Sequence, residues 1–357
     1  DYRFFDRKLH EGREYTSVRI TMINSNRKIG EKMAVALRVT FFALALVVST
    51  TALAGFDEGL RAFVSRDYVR AEKLWEQSAQ KKHMKAQYYL GKIYVEGLGV
   101  RQDLVKGKEF LLQSAQQGYS IAEYDLGKVY EKGNGVVVDY KTASNWYLKA
   151  SQQGFPPAQN ALGLLYKKGL GVPLSYKIAA KWFKSAADRE FLESIFNLAD
   201  LYVSGLGVNL DPGEGIRLYR MAARKRLDKA QIALGKIYAD GFLVPQNFEK
   251  SAKWYFLAAE QGQPTAQFEL ASMYIEGKGL VRNHSQAFKW YSRAAEAGLP
   301  KAQYYLGEMY RLGLSVRQDN KLSQKWFTRA ARNGYGNSAS RVTLFNKVRM
   351  ETSGLPN

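Results

Sequence analysis

The amino-acid sequence predicts an all-α fold, a solenoid of stacked helical hairpins. Three observations predict it. Seven units of 36 residues cover residues 86–337 without insertion or deletion, and Lys-Ala-Gln-Tyr-Tyr-Leu-Gly stands at both 85–91 and 301–307. Within each unit, small and apolar residues recur at helical spacing, with glycines where the helices would end. The composition is that of a folded chain: 357 residues, 46% hydrophobic and 24% charged, exclude wholesale disorder.

In chain order, residues 1–21 precede Met22 and are set aside as an upstream, non-native prefix. Residues 27–38 carry Arg27, Lys28, Lys32 and Arg38, residues 39–48 are almost wholly apolar, and Ala52-Leu53-Ala54 closes the run. That order predicts a signal peptide over 22–54, cut after Ala54, and so a periplasmic or secreted protein. The alternative is an uncleaved inner-membrane anchor, for which residues 39–54 fall short of the ~20 apolar residues that span a bilayer. Any membrane association would run through this segment alone. Residues 55–85 read as a truncated N-terminal capping repeat, and residues 338–357 as a C-terminal capping helix and tail.

Each repeat reads as two helices. The first carries a small residue at Ala86, Ala122, Ala158, Ser194, Ala230, Ala266 and Ala302. Eight residues on stand Tyr94, Tyr130, Tyr166, Tyr202, Tyr238, Tyr274 and Tyr310, read as core. Three further on, Gly97, Gly133, Gly169, Gly205, Gly241, Gly277 and Gly313 end the helix in the left-handed conformation. The mid-helix glycines 91, 127, 163, 235 and 307 predict close approach of a neighbouring helix, since glycine there otherwise costs ~1 kcal/mol. Asp103, Asp139, Asp211 and Asp319, with Ser175, Asn247 and Asn283, stand where the second helix needs an N-cap. That helix carries the pairs Trp146-Tyr147, Trp182-Phe183, Trp254-Tyr255, Trp290-Tyr291 and Trp326-Phe327, with the tryptophans also read as core. Small pairs follow four residues later, as interdigitating helices require.

The unit thus has the form A-x-x-x-L-G-x-x-Y-x-x-G-x-G-V-x-x-D…W-[YF]-x-x-A-A-x-x-G. It resembles the Sel-one-like repeat, a relative of the tetratricopeptide repeat, over about 280 residues. The resemblance implies a right-handed α/α superhelix that serves as a protein-binding scaffold. It also implies the exported bacterial type, associated with envelope assembly, polysaccharide export, motility and host interaction. Members that tie each repeat with a cysteine pair are excluded, because the chain has no Cys.

Zero cysteines also exclude a disulfide scaffold, a thiolate zinc site and a cysteine nucleophile. The three histidines, His10, His83 and His284, are scattered, and the latter two are read as surface residues. The Gly-x-Gly turns have no preceding strand and no following Gly-Lys-Ser/Thr, so they are not phosphate loops. The sequence therefore predicts no catalytic residue, metal or cofactor, and no enzyme. Function should sit where the units vary. On the first helices the helical period gathers such positions on one face, read as concave: Tyr89, Lys92, Asp125, Lys128, Leu164, Asn197, Asp200, Lys236, Glu269, Tyr305 and Glu308. The face is mixed in sign, which suits a protein partner and not a nucleic-acid backbone. The chain carries a formal +20; residues 1–54 hold nine basic and five acidic side chains, so about +16 belongs to the repeats. Arg224, Lys225, Arg226 and Lys229 form a basic patch where the usual glycine is replaced by Arg226. It carries the alternative function, association with acidic polysaccharide or peptidoglycan in the envelope.

Overall fold

A computed structural model describes residues 55–336 and Ser338. The predicted prefix, signal peptide and, Ser338 apart, C-terminal cap lie outside the described residues. The described residues form helices and turns, with no strand among them. Helix α1 spans residues 55–64 and α2 spans Tyr68–Gln80. The first helices of the repeats are α3 (Met84–Glu96), α5 (Ser120–Lys132), α7 (Pro156–Lys168), α9 (Leu192–Ser204), α11 (Asp228–Asp240), α13 (Pro264–Glu276) and α15 (Pro300–Leu312). The second helices are α4 (Leu104–Gln116), α6 (Tyr140–Gln152), α8 (Tyr176–Ala187), α10 (Pro212–Arg224), α12 (Phe248–Glu260), α14 (His284–Glu296) and α16 (Asn320–Arg332).

The helices group into two compact units, one ending at Val138 and the other starting at Asp139. In the first, α2, α3, α4 and α5 pack each on the next; in the second, α6 to α16 do the same. Neighbour-on-neighbour packing is forced by length. A 13-residue helix is only ~20 Å long and cannot hide its apolar stripe alone. The first unit buries Trp75, Leu90 and Ile93. The second buries Phe183, Leu201 and Leu234 in one cluster, then Leu270, Trp290 and Leu306 in another. A fully buried side chain of that size contributes roughly 1.5–3 kcal/mol.

Local chemistry sets the boundaries as read. Asp103, Asp139, Ser175, Asp211, Asn247, Asn283 and Asp319 each cap a second helix, their side-chain oxygens accepting a backbone N–H from its first turn. The glycine column from Gly97 to Gly313 ends every first helix in the left-handed region. The mid-helix glycines are contact points: a Cβ on Gly163 would lie 2.6 Å from the Phe183 ring, and one on Gly235 2.7 Å from Tyr255. The turn between hairpins is left-handed throughout, so the residues standing there instead of glycine, Lys82, Glu190 and Arg226, hold φ of 60°, 62° and 69°.

Two details differ from the sequence reading. In each Trp-aromatic pair the second ring is the core member. Tyr147, Phe183, Tyr255, Tyr291 and Phe327 are buried, whereas of the tryptophans only Trp290 is, the others being half-buried. Adjacent helical residues point ~100° apart, so one of the pair turns to the edge. There the indoles take cations on their faces, with Lys149 4.0 Å above Trp146 and the Arg329 guanidinium 4.8 Å above Trp326. His83 is half-buried and caps α3, its Nδ1 accepting the Ala86 N–H at 3.2 Å; burial lowers its pKa. The tyrosine column runs along the core edge: Tyr94 and Tyr238 are buried and the other five half-buried. Their polar ends meet charge, as where Arg220 donates to the Tyr238 hydroxyl at 2.5 Å.

Candidate protein-binding face

The eleven predicted face residues all lie on first helices, and the structure divides them. Most are knitted into the fold. Tyr88 donates its hydroxyl to Asp125 at 3.0 Å, and Lys128 reaches the same carboxylate at 2.9 Å. Asn160 accepts from Asn197 and from Ser194, both at 2.9 Å. Asp200 accepts from the Tyr219 hydroxyl and from Lys167 at 3.4 Å. Tyr88–Asp125, Asn160–Asn197 and Lys167–Asp200 each join one first helix to the next, so polar groups half-removed from water keep partners. Tyr89 stacks on Trp75 with centroids 4.8 Å apart, Lys92 pairs with Glu96 at 3.8 Å, and Leu164 packs against the core.

Glu308 pairs with Arg311, and the remaining three behave differently. The side chains of Lys236, Glu269 and Tyr305 make no hydrogen bond or ion pair among the described residues, although Lys301 and Lys236 lie near enough to favour the charge of Glu269. Glu269 and Tyr305, with Glu308, line one cavity of about 520 Å³ between α13, α14 and α15. Its walls are aromatic: Tyr291 and Tyr305 stack at 5.6 Å and 15°, and Phe268 meets Tyr305 edge-on at 5.5 Å. Ser272 and the Tyr291 hydroxyl share a hydrogen bond of 2.9 Å, and the Lys301 ammonium lies 4.4 Å over the Phe268 ring. Glu308 pairs with Arg311 at 2.7 Å and Glu276 with Lys278 at 2.6 Å. Burial pushes the Glu269 carboxyl above its usual range; Lys301 opposes that and Glu276 adds to it. Such a cavity has the size and mixed lining of a ligand site, with room for a side chain and the groups next to it.

The basic patch sits at the junction of α10 and α11, all four side chains exposed. Lys225 pairs with Glu190 at 2.7 Å, while Arg224, Arg226 and Lys229 have no acidic partner among the described residues. Other cations counted in the sequence are taken up: Arg217 by Glu214 at 2.6 Å and Lys184 by Asp188 at 3.3 Å. Among the described residues no group of three or more His, Asp or Glu could hold a metal ion, and no helix is long and apolar enough to cross a membrane.

A glutamine column escaped the sequence reading. Gln87, Gln159, Gln231, Gln267 and Gln303 are buried, and each donates its amide to a carbonyl eight residues back, at 3.1–3.3 Å. Those carbonyls belong to the last turn of the preceding helix, where each also accepts a backbone N–H from three residues on, and the glutamine amide adds a second donor. The recurrence at 36 residues was visible; the distant partner was not.

The pattern of the Sel1 repeat matches at eight places: 51–83, 85–119, 120–155, 156–191, 192–226, 228–263, 264–299 and 300–335. The segment at 51–83 overlaps the capping unit read from sequence. Among solved structures, a Sel1 repeat protein from Oxalobacter formigenes is 27% identical with a TM-score of 0.72, over 85% of this chain and 91% of that one. A protective antigen of uropathogenic Escherichia coli that displays an SLR fold is 32% identical with a TM-score of 0.69. The match covers 76% of this chain but 58% of that one. No protein among the curated sequences matches the chain.

Proposed function

The chain belongs to the Sel1 repeat family, whose all-α solenoids are protein-interaction scaffolds and in general not catalysts, and from that premise we propose that it is an exported, non-enzymatic adaptor binding protein partners in the bacterial cell envelope. The observation that carries the reading is the division of the first-helix face. Where α3 to α9 spend their polar groups on one another, α13 to α15 leave Glu269 and Tyr305 without a side-chain hydrogen bond or ion pair and open a 520 Å³ cavity. A half-buried carboxylate with no hydrogen bond, beside an exposed tyrosine on a repeat solenoid, favours a partner that completes it. The charged, apolar and small-residue order of 27–54 supports export. So does the 32% identical relative, a protective antigen of uropathogenic Escherichia coli.

Cross-linking tests both halves. A photoreactive group at position 305, in cells, should trap a protein adduct in the envelope fraction, and the same group at exposed Lys181 should not. Mass spectrometry of the exported form should find Gly55 as its first residue. Adducts absent at 305, or equal at both positions, would count against the face.

One observation favours the second reading, association with acidic polysaccharide or peptidoglycan. Arg226 is kept in a left-handed turn that costs a side chain ~1 kcal/mol and that glycine fills in the flanking repeat after it. Arg226→Gly should therefore raise thermal stability while lowering retention on an acidic polysaccharide at low salt. Retention unchanged by that substitution ends this reading.

A further inference from the structure

We infer that the cavity between α13 and α15 takes a basic side chain, arginine before lysine, of the partner protein. The inference rests on the scaffold reading above and adds the chemistry of the partner.

Three features of the cavity converge on a cation. Its walls present aromatic faces, and the stacked Tyr291–Tyr305 pair leaves Tyr305 partly exposed. Ring faces attract ammonium and guanidinium groups, more strongly when water is excluded. Lys301, lying on the Phe268 ring, shows that this wall already accommodates one. The second feature is the charge balance. Of the three carboxylates lining the cavity, Glu276 is matched by Lys278 and Glu308 by Arg311. Glu269 alone has neither hydrogen bond nor ion pair, and burial works against its ionised form. A guanidinium stacked on Tyr305 could fork onto that carboxylate with two N–H donors, which an ammonium cannot do. The third is what the cavity would reject. A purely apolar side chain would bury Glu269 further without a partner, and an acidic one would meet Glu269, the lining carboxylate that has no ion pair.

Pattern places this site apart from its counterparts. The column holding Glu269 reads Tyr89, Asp125, Ala161, Asn197, Ala233 and Tyr305 elsewhere, and its other acid, Asp125, is already held by Tyr88 and Lys128. The combination of an unmatched acid and a stacked tyrosine pair is formed here by α13, α14 and α15.

The full chain can be titrated with the N-acetyl methylamides of arginine, lysine, norleucine and glutamate, followed by saturation-transfer NMR. The arginine amide should bind best, lysine next, norleucine weakly and glutamate not at all. Glu269→Gln, checked for an unchanged circular dichroism spectrum, should weaken the arginine amide roughly 10-fold and leave norleucine unaffected. Lys301→Gln removes a competing cation but also the charge that favours ionised Glu269, so, measured well above the raised Glu269 titration, it should tighten the arginine amide about 2-fold. Norleucine binding as tightly as arginine, or arginine binding indifferent to Glu269→Gln, would overturn the cation pocket and leave the scaffold standing. Arginine binding as described without any protein adduct at position 305 would instead overturn the scaffold reading and leave the pocket.

Discussion

Glycines that look alike in the repeat do different jobs, and substitution separates them. Gly262 sits in a left-handed turn at φ +86°, with open space where a Cβ would go. Gly262→Ala should cost only the conformational strain, about 1 kcal/mol. Gly235 is helical, and its Cβ would press on the Tyr255 ring at 2.7 Å. Overpacking of about 1–3 kcal/mol there is set against a helix-propensity gain of ~1 kcal/mol, so Gly235→Ala should destabilise by the difference and visibly displace Tyr255 in its near-ultraviolet signal. Glu269 gives the residue-scale prediction for pH. The groups facing it are Lys301 and Lys236, which favour its charge, and Glu276 and Asp240, which oppose it, with burial the largest cause of the upward shift. A carboxyl whose folded pKa lies above its unfolded value, near 4.3, penalises the fold as it ionises. Stability should fall as pH rises from about 4.3 through the raised folded value and level off beyond it. Melts between pH 4 and 8 should show Glu269→Gln more stable than the parent at neutral pH, the gap closing toward pH 4. A gap that widens on acidification would contradict the assigned shift. A residue that weakens the fold while serving the cavity is what a binding site trades for stability.

At the scale of the helix, legibility follows the range of the interactions. Caps were readable because Asp, Asn or Ser bonds an N–H two or three residues on, and all seven cap as predicted. Which ring of the Trp-aromatic pair is buried was not readable, because it depends on the rotation of the second helix against two neighbours. The glutamine column lay between these cases: its period was plain, but its acceptor is on another helix. Gln267 carries that point to a measurement. Its amide holds the Ala259 carbonyl at 3.1 Å in a buried site, closing the end of α12 against the start of α13. Gln267→Leu keeps the volume and removes one of two donors to that carbonyl, which still accepts the Gly262 N–H at 2.9 Å, so it should cost about 0.5–1.5 kcal/mol, read as a lowered Tm. A neutral result would mean that water or a shifted side chain replaces the bond.

At the scale of the molecule, repetition made the architecture legible and hid the site. A period of 36 announces a stack, because each hairpin buries its stripe only against the next. The same averaging cannot say which variable side chains are spent inside the stack. Asp125, Asn197 and Asp200 looked as free in sequence as Glu269, and only packing shows that the first three bind their neighbours across repeats. Nearest-neighbour packing has a consequence for stability. Phe183 is fully buried in α8 against Gly163 of α7, and α8 packs on α7 and α9 and not on α14, α15 or α16. Phe183→Ala should remove about 3–5 kcal/mol locally. If stability is a sum over adjacent interfaces, hydrogen exchange should quicken from α7 to α10 while α14 to α16 keep their parental protection. The cation cavity, built by α13 to α15, should then still bind the arginine amide in that variant. Uniform loss of protection out to α16 would show that the second unit opens as a block, and the cavity would then owe its geometry to distant repeats as much as to its own three helices.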